Sequence, residues 1–159
     1  MAHLLSRASF RFLYREDEGT LGRAAWWTAV APPALTLFVM ATIWLAIMPA
    51  GARDLARDGF FDARSVATYA YLLLFAFATL IGFVMIYNVT AKRLRDRGRP
   101  PALAGLLPFA LFFDGAMRWL AGRADGAITP AMLWTLDVLT LAVVIWTLIE
   151  CGVKKGRSA

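Results

Sequence analysis

Reactive side chains are scarce in this chain. It has one histidine, His3, and one cysteine, Cys151. A haem held by two histidines of this chain is therefore excluded, and no ordinary zinc site can be assembled from its imidazoles and thiolates. A lone cysteine also excludes an internal disulfide. Cys151 reads as a small residue near the end of an apolar run, and no histidine is placed to serve it as a base. Serines are few, and none sits in a nucleophile-elbow context. No glycine-rich phosphate loop is present, since Gly98-Arg99-Pro100 reads as a turn. No catalytic residues, metal ligands or cofactor-binding residues are expected, and the chain is read as not an enzyme.

Charge is also missing, over long stretches. Sixty percent of the 159 residues are apolar and the mean hydropathy is +0.59. Globular domains sit near 45–50% apolar, so the excess needs a cause. It lies in a few uninterrupted runs, which points to bilayer spans. A hydrocarbon core needs about 20 helical residues. Residues 24–48 and 65–91 carry no charge. Pro32 and Pro33 in the first run predict a kink but no break. A third span, 101–122, holds Asp114 and Arg118. Those two are four residues apart on one helical face and can neutralise each other. The fourth, 127–149, holds Asp137. The expected fold is all-α: an integral membrane bundle of four transmembrane helices, residues 24–150. A cytoplasmic segment, 1–23, precedes it and a cytoplasmic tail, 151–159, follows. No cleavable signal peptide is expected, because the first apolar run is too long for one.

The charges that remain encode a topology. The net charge is +6, but the cations flank apolar runs and form no basic face on a soluble fold, so no nucleic acid is expected. Of 17 Lys and Arg, twelve fall in the N-terminal segment, the second loop and the tail; five fall in the other loops and the third span. The positive-inside rule then places both termini in the cytoplasm. Residues 4–15 are expected to form an interfacial helix with Arg7, Arg11 and Arg15 in one stripe opposite Leu5, Phe10, Phe12 and Leu13. The alternative is a disordered basic tail that only sets topology. Trp26, Trp27, Trp119 and Trp134 are expected as interfacial anchors. Lys92, Arg93, Arg95, Arg97 and Arg99, with Arg7, Arg11 and Arg15, form a candidate surface for anionic lipid headgroups or a partner. Asp96 would serve as counter-charge to Arg93 or Arg99.

Two stretches carry a family likeness. Before the first span stands Gly19-Thr20-Leu21-Gly22-Arg23-Ala24-Ala25-Trp26-Trp27, and after the second stands Lys92-Arg93-Leu94-Arg95-Asp96-Arg97-Gly98-Arg99-Pro100. Together, across roughly residues 10–115, they resemble the domain of unknown function 805 family of small bacterial inner-membrane proteins. Thr20 stands where that family has an arginine, and Arg95 where it has a histidine. No equivalent of the family's later Gly/Asn/Tyr/Pro-rich segment is found. The resemblance implies a bacterial inner membrane and supplies no reaction.

The polar residues inside the spans are the remaining candidates. At 1.5 Å per residue, Asp137 lies about 15 Å from the outer end of its helix, and Asp114 and Arg118 about 12 and 6 Å from theirs. Antiparallel neighbours would bring the three to similar depth. They form a structural cluster, an ion or proton relay, or a contact with another subunit. The leading expectation is a non-enzymatic accessory or structural subunit or assembly factor, binding lipid and a membrane partner or its own copies. The alternative is a small oligomeric transporter or channel using Asp114, Arg118 and Asp137. A lipid-acting enzyme with Arg93, Asp96 and Arg97 comes third.

Overall fold

The computed structural model describes residues 7–16, 18–51, 62–121, 123 and 126–156. Residues 4–6 of the expected interfacial helix, the Arg7 side chain, His3, Arg53, Asp54, Arg57, Asp58, Gly122 and Arg157 lie outside the described residues. The structure is 85% helical, an all-α four-helix bundle with no strand among the described residues. A short helix α1 (Arg7–Tyr14) precedes four long ones: α2 (Arg23–Ile47), α3 (Ala63–Asp96), α4 (Leu106–Ala121) and α5 (Pro130–Thr147). A 3-10 turn, Pro101–Gly105, leads into α4, and a π-helical turn, Leu148–Val153, extends α5.

Local chemistry sets the helix ends. Asp62 caps α3, its carboxylate accepting from the backbone N–H groups of Arg64 and Ser65 at 3.3 and 3.0 Å. Thr129 caps α5, its hydroxyl accepting from Met132 N at 3.4 Å, and Pro130 follows at the first helical position, where a missing N–H costs nothing. Helix α3 does not stop where its apolar run stops. It continues to Asp96 and ends at Gly98, whose φ of +68° is open to glycine at little cost. Gly22 has an ordinary φ of −69° and starts α2 in extended conformation, so its role is not a left-handed turn. Helix α4 runs on through Asp114 and Arg118 to Ala121.

Helix α2 passes unbroken through Pro32 and Pro33. Proline at position 33 leaves the carbonyl of Ala29 without its helical donor. The Tyr14 hydroxyl supplies one, at 2.9 Å. Burial pushes the Tyr14 pKa above its ordinary value, which keeps that hydroxyl protonated. In this way a gap in α2 becomes the seat of α1.

Helices α2 and α3 form one antiparallel hairpin and α4 and α5 a second. The first closes tightly where Gly82 faces Leu37, since a Cβ at Gly82 would lie 2.8 Å from the Leu37 side chain. The two hairpins meet chiefly at one end, where α2 and α3 pack against the π-helical turn and α3 packs against the 3-10 turn. That end, which also holds α1 and the described C-terminal residues, is here the tied end; the opposite one is the free end. Most of the core lies in the tied half: Leu21, Trp26, Ala29, Ile86, Val89, Leu94, Ala104 and Cys151 are buried. Elsewhere large apolar side chains face outward, including Phe38, Phe77, Phe109 and Trp134, each at least 65% exposed. A water-soluble bundle would hide these surfaces, whereas lipid covers them without penalty.

Candidate functional site

The tied end is built on the last carbonyls of the C-terminal helix. A helix leaves its final C=O groups without partners, and the wide π-helical turn with Lys154, the residue that caps it, presents four in succession. Each receives a side-chain donor from the other hairpin. Arg93 Nε donates to Cys151 O at 2.9 Å, Trp27 Nε1 to Gly152 O at 3.1 Å, Arg23 Nη1 to Val153 O at 3.2 Å and Arg93 Nη2 to Lys154 O at 2.5 Å. Arg93 Nη1 faces the Asp96 carboxylate and, at 3.5 Å, Leu21 O. The guanidinium fork suits this work, because it carries five donors in a fixed plane. Gly152 is small because it must be: a Cβ there would lie 2.6 Å from the Trp27 ring and 3.2 Å from that of Trp26.

Glu150 completes the arrangement. It is 1% exposed and pairs with Lys154 at 2.5 Å, Arg97 at 3.3 Å and Arg99 at 3.4 Å. Arg97 also donates to Lys155 O. Lys92 performs for α1 what Arg93 performs for the C-terminal turn. Its ammonium donates to Phe12 O at 2.5 Å, Leu13 O at 3.3 Å and Glu16 O. Asn88 Nδ2 adds a bond to Tyr14 O at 2.7 Å. Positive charge at a helix C-terminus is also favoured by the macrodipole.

Several expectations are corrected here. Lys92 and Arg93 are fully buried and form no headgroup surface; their donors are consumed by backbone carbonyls of α1 and the C-terminal turn. Trp26, at 1% exposure, is a core residue and no lipid anchor. Trp27, Trp119 and Trp134 are exposed. Arg95 and Arg97 are half-buried, while Arg99, Arg11 and Arg15 are exposed, with Arg11 held by Glu16 at 3.1 Å. The acceptors at Cys151, Gly152 and Lys154 and the Glu150 cluster went unforeseen. A carbonyl gives no signal in the sequence, although buried Glu150 beside five upstream cations could have given one.

At the free end, α4 and α5 bring the three intramembrane charges together. Arg118 Nε lies 3.3 Å from Asp114 Oδ2, and Arg118 Nη2 hydrogen-bonds Asp137 Oδ1. Among the described residues their side chains bond only each other. Arg118 is 49% exposed, Asp137 34% and Asp114 20%. Among the described residues, no group of three His, Cys, Asp or Glu could hold a metal ion.

Four helices among the described residues are long and apolar enough to cross a bilayer: Arg23–Ile47, Ala63–Asp96, Pro101–Ala121 and Pro130–Val153. With their outward apolar surfaces and a polar tie at one end, they define a multi-pass α-helical membrane protein. The chain belongs to the family described as Protein of unknown function (DUF805), whose model matches residues 14–159. The likeness therefore extends well beyond residue 115, to the C-terminal turn on which the tied end is built. No curated protein and no solved structure matches the chain.

Proposed function

We propose that this is a non-enzymatic protein of the bacterial inner membrane, an accessory or structural subunit or an assembly factor of a larger membrane complex. The observation that carries the reading is the Asp114–Arg118–Asp137 trio, an exposed arginine between two half-buried aspartates on an otherwise uncharged helix pair. A charge at mid-bilayer costs about 2.5–3.5 kcal/mol on insertion scales, so such groups face protein or water. Neither α2 nor α3 supplies a bond to the trio, so a second membrane protein is its natural cover. The buried polar residues of the tied end support the same reading, because their donors hold helices together. Both termini are assigned to the cytoplasm. Support for this comes from the basic N-terminal segment, second loop and tail gathering at one end.

Affinity purification in mild detergent, with Arg118→Leu and Asp137→Asn beside the wild type, tests the proposal. A membrane partner is expected with the wild type and at least about fivefold less with either variant, as for a truncated interfacial charge. A strictly monomeric protein with no partner overturns it. The trio also favours a second reading, a small oligomeric transporter or channel. Ion or proton flux in reconstituted vesicles that is lost in Asp137→Asn would favour that reading; flux unchanged in the variant removes it.

A further inference from the structure

Helix α1 does more than lie against the bundle. It roofs a groove of about 400 Å³ over α3, within the range of small-ligand sites. The floor is one face of α3, with Leu80, Ile81 and Val84 exposed and Met85 half-buried. The roof is the Phe10–Tyr14 pair, with ring centroids 5.0 Å apart. Arg15 lines the same groove and is exposed. Arg11, one turn earlier, is engaged by Glu16.

The roof is fixed at its C-terminal end. Lys92 holds the α1 carbonyls, Asn88 bonds Tyr14 O, and the Tyr14 hydroxyl is bound to Ala29 O. From Asn88, where α1 is pinned, Leu80 lies eight residues deeper into the span, about 12 Å at 1.5 Å per residue. The groove thus has a charged mouth near the tied end and an apolar floor leading toward the bilayer centre. A long apolar tail with a head of net negative charge matches both ends; a free anion leaves the apolar floor bare, and the ammonium of a zwitterionic head offsets its phosphate beside Arg15.

We propose that the groove between α1 and α3 binds one anionic phospholipid, an acyl chain lying on Leu80, Ile81 and Val84 and its phosphate on the Arg15 guanidinium. The proposal rests on the chain spanning a bilayer. It is independent of whether the Asp114–Arg118–Asp137 face meets a partner.

Native mass spectrometry of the delipidated full-length protein, titrated with phosphatidylglycerol or phosphatidylcholine of the same acyl chains, tests it. One phosphatidylglycerol is expected to be retained at least about fivefold better than phosphatidylcholine. Arg15→Gln should abolish that preference, whereas Arg11→Gln changes it by less than about twofold. Val84→Trp, filling the groove at an exposed position, should reduce retention of both lipids. Circular dichroism of each variant should match the wild type, and partner recovery should be unaltered in Arg15→Gln. Equal retention of the two lipids by the wild type overturns the proposal, as does wild-type behaviour of both Arg15→Gln and Val84→Trp. Glycerophosphoglycerol, the head without its chains, binding as tightly as the lipid would reduce the site to a free-anion site and also overturn it.

Discussion

Arg93 and Arg118 each pair with an aspartate on their own helix, yet the two ends of the molecule use them in opposite ways. At the tied end the Arg93 and Asp96 side chains are 1% and 2% exposed, and Arg93 also bonds backbone carbonyls from two other segments. At the free end Arg118 is half exposed and, among the described residues, bonds only Asp114 and Asp137. A buried cation with four acceptors is a fastener, and its value is set by what is left unbonded when it goes. The free-end trio ties only α4 to α5, and the proposal of a partner rests on that difference.

Arg93→Met is the harshest way to break the contrast. It breaks the buried ion pair with Asp96 and strips donors from the C-terminal turn, so a loss of about 3–5 kcal/mol is expected. Unfolding in mixed detergent micelles, followed by circular dichroism, measures this, and adding Asp96→Leu should restore part of it. Lys92→Met comes next. Freeing the α1 carbonyls should cost about 1–3 kcal/mol, expressed as faster proteolysis between α1 and α2 while α2–α5 stay folded. The double change Arg118→Gln with Asp137→Asn is the mildest. About 1 kcal/mol or less is expected in partner-free micelles, as for polar side-chain bonds between transmembrane helices. A loss as large as that of Arg93→Met would show that the free end is a core too, and would erase the distinction.

Helices were legible in the sequence because each rests on an apolar run of bilayer length, and lipid-facing helices need little else. The Asp114–Arg118 spacing was legible for the same local reason, being one helical turn. Asp137 joins them only through the antiparallel pairing of α4 and α5, which the short connection made inferable. Lys92 and Arg93 were misread because a basic stretch after an apolar run has the form of a topology signal. What decides their burial is the arrival of α1 and the C-terminal turn, from 76 to 80 residues upstream and 58 to 61 residues downstream. The local hint was the helix itself: Val89, Arg93 and Asp96 share one face, and nothing breaks the helix before Gly98. Pro33 and Tyr14 were legible separately, but not as a gap and its plug.

The distance along the chain between Arg93 and its acceptors has a consequence for biogenesis. Cys151 is made 58 residues after Arg93, a delay of roughly 3–12 s at about 5–20 residues per second. During that interval the carbonyls of the C-terminal turn do not yet exist, and of its four acceptors the guanidinium has only Leu21 O and Asp96. The bolt through the finished molecule can be drawn tight only once the last turn has emerged.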